Sequence, residues 1–151
     1  MYRCLPLLPL LLLWLLAFAH VQAEEAPLQV VGARTVNVLQ AKRLYDYGVL
    51  FIDVRATREW SWGHVYGAVH LDLADRFGSL ELQRLPRNVP LVLYCDSEVC
   101  PSAALATQLA VKWGYRQVFY FRGGYFAWQL FDFPLGKGAE GEVVAFSAPG
   151  Q

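Results

Sequence analysis

The stretch PLVLYCDSEVCPSAALATQLAVKWG, residues 90–114, decides the fold. Leu91-Val92-Leu93-Tyr94 is apolar at every position instead of alternating, as suits a strand covered on both faces of a parallel sheet. Cys95 closes the run. After Asp96-Ser97-Glu98-Val99-Cys100, Pro101 stands where a first helical turn tolerates a missing N–H. Residues 102–113 then read as a helix, with alanines at 103, 104, 106 and 110 that permit close packing, and Gly114 ends it. The unit is therefore strand, short loop and helix, with a thiol where the strand gives way to the loop.

The same alternation extends in both directions. Upstream, Asn37 can cap a helix whose apolar positions Val38, Leu39, Ala41, Leu44 and Tyr45 lie on one side, with Gly48 as its stop. Val49-Leu50-Phe51-Ile52-Asp53 is a second fully apolar strand, ending in a carboxylate. Residues 68–71 read as a short strand, 79–85 as a short helix, and Pro86 and Pro90 bracket a turn. Downstream, 118–121 is a further strand, Gly123-Gly124 a tight turn, and 125–131 a last short helix. Residues 24–34 show no periodicity and are expected to form a loosely held arm, and 136–151, rich in Gly, Ala and Ser, a flexible tail. Strands alternating with helices over 35–135 predict an α/β domain with a mostly parallel central sheet flanked by helices on both faces. In such sheets ligands bind beyond the carboxyl ends of the strands, so Asp53 and Cys95, which end two of them, are expected on one rim.

Apolar residues make up 56% of the chain, and much of the excess lies in LPLLPLLLLWLLAFA, residues 5–19. With Arg3 before it and Val21-Gln22-Ala23 after it, this run has the form of a signal peptide cleaved after Ala23. A membrane anchor fits less well, because the run falls short of the ~20 residues a spanning helix needs and is interrupted by Pro6 and Pro9. The expectation is an exported protein, periplasmic or secreted, with no membrane contact after cleavage. Cys4 would leave with the leader, so Cys95 and Cys100 would remain in a compartment where disulfides persist. Lys+Arg and Asp+Glu are equal at 13 each, a balance without the concentrated positive charge of nucleic-acid binders.

Cys95 faces the N–H groups of its loop and the positive end of the following helix, both of which favour the thiolate, the nucleophile that attacks sulfur. The same N–H groups could hold a persulfide anion. At the level of the loop alone, Cys95 could equally be a small apolar residue closing a core strand. The neighbouring motifs bear on that choice. Phe51-Ile52-Asp53-Val54-Arg55, then Glu59-Trp60, then Gly63-His64-Val65-Tyr66-Gly67-Ala68-Val69-His70-Leu71 resembles the N-terminal signature of the rhodanese family, D-V-R-x-x-x-E-aromatic-x-x-G-H-I-x-G-A. Gly123-Gly124-Tyr125-Phe126-Ala127-Trp128, closing at Pro134, is similar to that family's G-G-x-x-x-W-x-x-x-G-x-P ending, with Asp132 where glycine is usual. Val92-Leu93-Tyr94-Cys95 stands in the place of its catalytic strand and loop.

The resemblance implies a sulfurtransferase in which Cys95 takes a sulfane sulfur from a small-molecule or protein donor and passes it to a thiol or other thiophilic acceptor. It also implies that the loop Asp96, Ser97, Glu98, Val99 and Cys100 binds substrate through its backbone N–H groups, and that Asp53, Arg55, Glu59 and His64 brace the site without taking part in the chemistry. No cofactor is called for. With His64 and His70 the only histidines after the leader and no ligand spacing between them, no metal site is expected.

Active rhodanese loops commonly carry basic residues, often an Arg five places after the cysteine. Here Asp96 and Glu98 are acidic and Cys100 holds the fifth place. Carboxylates near the thiol would oppose its ionisation and repel a dianionic donor. The expectation is that both point to solvent and that the donor is less negative than thiosulfate, such as a polysulfide or a protein persulfide. Cys100 has two readings, a small filler at the helix start or a resolving thiol that expels sulfide from a Cys95 persulfide and leaves a disulfide. A thiol-disulfide or redox-sensing protein using both cysteines and a non-catalytic binding module on the same fold are the alternatives to a sulfurtransferase. A phosphatase of related fold would need a phosphate-clamping Arg at the end of its loop, and none is present.

Overall fold

The computed structural model describes residues 25–82 and 85–138. Its elements are β1 (Arg34–Val36), α1 (Val38–Asp46), β2 (Leu50–Asp53), α2 (Thr57–Trp62), β3 (His64–Val65), β4 (Val69–His70), α3 (Ser79–Leu82), β5 (Leu91–Tyr94), α4 (Ser102–Lys112), β6 (Val118–Phe121), α5 (Gly124–Leu130) and β7 (Leu135–Gly136). The leader lies outside the described residues, as do 139–151 of the expected tail. Among the described residues no helix is long and apolar enough to cross a membrane.

Five strands form a parallel sheet in the order β1-β6-β5-β2-β4. The continuous apolar runs become its centre because each residue there is covered from one side or the other. On one face Ile52, Leu91, Leu93, Val118 and Tyr120 pack with the alanines of α4 and with Phe77 and Leu80. On the opposite face Phe51, Val92, Tyr94 and Phe121 meet Ala41 of α1, Trp60 of α2, and Tyr125 and Trp128 of α5. Helices thus cover both faces, as the alternating pattern implied. The connection leaving β5 crosses over one face and that leaving β2 over the other, so the gap between these neighbours is where the winding reverses and a crevice opens. Asp53 pairs in register with Tyr94, which sets the end of β2 beside Cys95.

Asn37 caps α1 as read, its side chain accepting from Gln40 N while the Gln40 side chain accepts from Asn37 N. One position of its proposed apolar face departs, since Leu39 is exposed. The arm is not loosely held. Ala26 and Val30 are buried, and Arg34–Val36 pairs with β6 at the sheet edge. The fold also runs past the expected boundary: β7 pairs antiparallel with β3, and Gly138 N donates to Ser61 O. Both departures have one cause, that edge strands of two or three residues are specified by the partner they join and carry too few residues for a periodicity of their own.

Candidate active site

The site begins with two strand ends. Asp53, fully buried at the end of β2, accepts from the Arg55 guanidinium at Nη2 (2.6 Å) and Nε (3.0 and 3.1 Å) and from the Arg55 backbone N–H (3.0 Å). The same guanidinium donates to Gly63 O at 2.7 Å and lies 4.3 Å from the centre of the Tyr125 ring. Burial works against its charge, but the hydrogen bonds and charge of Asp53 outweigh that and hold its pKa above the ordinary guanidinium value. A buried pair matched at nearly every donor is a rigid strut, and removing one partner would leave a stranded charge.

That strut reaches the cysteine loop. Arg55 Nη1 donates to Asp96 Oδ1 at 3.2 Å, with the Asp96 side chain about one-third exposed. Asp96 therefore turns inward, contrary to the expectation that both acidic side chains face solvent. The reason is local, because Arg55 presents a free donor toward the loop and unlike charges close the gap. Glu98 is largely exposed, yet it pairs with Arg122 Nη1 at 3.2 Å. Both carboxylates have a cationic partner, so neither acts on the thiol as an unopposed charge.

Backbone contacts fix the rest of the loop. Tyr125 N donates to Cys95 O and Phe126 N to Asp96 O, each at 2.9 Å, so the first turn of α5 holds the start of the loop. Gly124 permits this approach. Its φ is +59°, and a Cβ there would collide with the Cys95 and Asp96 carbonyls. On the far side Ala26 N donates to Glu98 O at 2.8 Å, and Arg122 donates to Ala26 O (3.2 Å) and Glu25 (2.7 Å). Among the described residues no backbone carbonyl accepts from the N–H groups of Asp96, Ser97, Glu98 or Val99, while Cys100 N turns back to Ser97 O.

Cys95 is 3% exposed and belongs to the core cluster on the α4 face, whereas Cys100 is only partly buried at its edge. The two are joined by a disulfide with 6.2 Å between their Cα atoms. The donor atoms of Cys95, Asp96 and Cys100 lie within 4.8 Å of one another. In this oxidised form both sulfurs are bonded to each other and Asp96 Oδ1 is held by Arg55.

The other bracing residues divide. His64 is buried, stacks on Trp60 with ring centres 3.5 Å apart, and donates from Nδ1 to Trp60 O. Gly136 closes over its other nitrogen. His70, which the sequence did not single out as a bracing residue, stacks on the same indole and donates from Nε2 to Arg55 O at 2.8 Å. Glu59 forms no hydrogen bond or ion pair with Arg55. Its Oε1 pairs with Arg58 at 3.3 Å while its Oε2 is buried without a partner, and the nearby backbone N–H and Arg58 hold its pKa below the usual carboxylate value in the first turn of α2, where Ala56 offers no capping side chain. Arg122 and Gly124 were also missed as site residues. The Gly-Gly pair was a signal for the second; nothing in the local sequence marked the first. A groove of about 450 Å³ lined by Tyr45, Val49, Tyr66 and Pro90 sits at the opposite ends of β2 and β5, away from Cys95.

A rhodanese-like domain model matches residues 37–130. The chain is 28% identical over 136 residues to rhodanese-like domain-containing protein 17 of Arabidopsis thaliana, covering 82% of this chain and 86% of that protein. It is 33% identical over 138 residues to an HTH-type transcriptional regulator of Mycobacterium tuberculosis, of which it spans 58%, and 30% identical over 113 residues to the probable adenylyltransferase/sulfurtransferase MoeZ of that species, of which it spans 28%. Among solved structures, the rhodanese-like domain of the Alr3790 protein from Anabaena superposes with a TM-score of 0.61 at 19% identity, covering 78% of this chain and 89% of that one. Thiosulfate sulfurtransferase from Pseudomonas aeruginosa gives 0.60 at 16% identity, covering 70% and 20%. At such identities the superpositions establish a common fold, and with the domain match they lead to one statement of kinship: the chain belongs to the rhodanese-like domain family.

Proposed function

We propose that the protein is a sulfurtransferase that carries sulfane sulfur as a persulfide on Cys95. The observation that carries this reading is the position of Cys95, at the carboxyl end of β5 where the sheet's winding reverses, followed by a loop whose N–H groups at 96–99 are not engaged by backbone carbonyls. With the disulfide reduced, the Cys95 thiolate attacks the sulfane sulfur of a donor, a Cys95 S–S bond forms, and the remainder leaves with its electron pair. The unengaged N–H groups then face a persulfide anion. MoeZ, whose name includes a sulfurtransferase activity, supports the reading by similarity over 74% of this chain.

The loop contributes no basic side chain between residues 96 and 100, and Arg55 and Arg122 are already paired with carboxylates. A polysulfide or an organic or protein persulfide suits this cradle better than dianionic thiosulfate. If the leader is cleaved after Ala23, the reaction takes place outside the cytoplasm, where the disulfide can form. The Cys95–Cys100 bond also favours a second reading, a thiol-disulfide exchange protein that handles no sulfane sulfur.

The first reading is tested in Cys100→Ser, which cannot form the disulfide, by reducing the protein, removing the reductant and offering a panel of donors. A mass increase of about 32 Da is expected in that variant, mapping to Cys95 and lost when Cys95→Ser is added, as follows from attack by an activated thiolate. No adduct from any donor overturns the sulfurtransferase reading, and thiosulfate loading as well as the persulfides overturns the donor preference.

A further inference from the structure

We infer that the second substrate is a dithiol reductant that enters through Cys100, and that the sulfur leaves as hydrosulfide. The inference rests on the sulfurtransferase reading and names its second substrate. Its ground is the unequal placement of two bonded sulfurs. Cys95 is 3% exposed within the core, whereas Cys100 is partly exposed at the mouth, beside Val99, which is 53% exposed.

A persulfide on Cys95 carries its sulfane sulfur outward, with Cys100 in reach of the Cys95 sulfur. The Cys100 thiolate attacks that sulfur, the bond to the sulfane sulfur breaks, and hydrosulfide departs with the electron pair. The two cysteines are oxidised to the disulfide and the sulfane sulfur is reduced, so this step needs no outside reagent. The disulfide then blocks Cys95 until two electrons arrive.

Thiol-disulfide exchange proceeds in line, from the side away from the leaving sulfur, and is governed by access and by leaving-group stability. In the disulfide form an incoming thiolate reaches partly exposed Cys100 more readily than buried Cys95. Attack at Cys100 also expels the Cys95 thiolate, the sulfur at the head of the loop whose N–H groups at 96–99 have no backbone acceptor, whereas attack at Cys95 would release Cys100. The product is a mixed disulfide on Cys100. The second thiol of the reductant attacks its own sulfur in that bond, frees the Cys100 thiolate and leaves as a cyclic or protein disulfide. A monothiol lacks this exit and needs a second molecule to complete it.

The reduced protein, freed of reductant, is mixed with one equivalent of a small organic persulfide. The expected result is one equivalent of hydrosulfide above a protein-free control and a protein about 2 Da lighter, as two thiols lose their hydrogens. Dithiothreitol should then permit repeated turnover. Cys100→Ser should instead hold the adduct of about 32 Da and release no hydrosulfide until thiol is added. Retention of that adduct by the wild type, with Cys100 free, overturns the inference and leaves the sulfurtransferase reading standing. Absence of the adduct from Cys100→Ser overturns both. Brief exposure of the disulfide form to a monothiol with acid quenching should place the mixed disulfide on Cys100, and finding it on Cys95 reverses the proposed direction and overturns that part. Comparing a Cys-x-x-Cys protein with dithiothreitol at equal concentration distinguishes a protein dithiol from a small one.

Discussion

Arg55 and Tyr94 show how single buried residues hold this site. A buried guanidinium costs several kcal/mol unless its donors are matched, and Arg55 is matched by Asp53, Gly63 and Asp96, with Tyr125 against its face. Tyr94 is fully buried beside them and accepts from Val65 N at 3.1 Å. Burial first, and the charge of Asp53 second, push its pKa well above the usual phenol value of 10.0. The sign follows directly: above that value the unfolded chain loses a proton that the folded chain keeps, so stability present at neutral pH falls as pH rises. Tyr94→Phe is expected to lower stability at neutral pH by about 1–2 kcal/mol through the orphaned Val65 N–H. It should also lose less than wild type between about pH 9 and about pH 11 in thermal melts, because one titrating group has gone. Some slope will remain, since burial also raises Tyr45, Tyr115 and Tyr120. An equal slope in the variant would show that Tyr94 contributes nothing to alkaline unfolding.

At the scale of elements, the cysteine loop is shaped by α5 more than by its own sequence. Gly124 admits the Cys95 and Asp96 carbonyls to the first N–H groups of that helix. Gly124→Ala must both adopt a positive φ and displace the loop. A loss of about 1–3 kcal/mol is expected, with slower formation of the Cys95 adduct measured by mass spectrometry in the Cys100→Ser background. Gly48→Ala is the control. Its φ of +74° is similarly strained, but a Cβ there meets nothing within 4 Å, so it should cost stability and leave the adduct rate unchanged. Equal effects on that rate would remove the special role of Gly124. The longer elements were legible because several residues repeat one message: the uniform apolar runs of β2, β5 and β6, the Asn37 cap and apolar spacing of α1 and the alanines of α4. Helix α2 was not, since TREWSW buries only Trp60 and repeats nothing.

Across the whole molecule, the arm, the edge of the sheet and the loop are closed by Arg122. It stands one residue beyond β6 and joins Glu98 of the loop to Glu25 and Ala26 of the arm. Exposed ion pairs contribute little singly, but this guanidinium is only 11% exposed and holds three groups together. Arg122→Gln is expected to weaken local closure by about 1–2 kcal/mol, which corresponds to roughly a 5- to 30-fold loss of amide protection. Hydrogen exchange should show that loss in residues 25–30 and 96–100 together. A loss confined to either segment would show that they are not coupled through Arg122.

What the sequence by itself determined was the α/β architecture, the order of its main elements, the placement of Asp53 and Cys95 on one rim and the family to which the chain belongs. These are carried by runs and motifs that need only a few neighbouring residues to be read. The tertiary structure alone decided that Asp96 turns to Arg55, that Glu98 is held by Arg122, that the arm is part of the site and that Cys95 lies deeper than Cys100. Asp96 and Arg55 are 41 positions apart, and Arg122 and Glu25 are 97. Such pairings arise where separate segments converge on a strand end, and the direction of a charged side chain there follows from which opposite charge the packing leaves within reach.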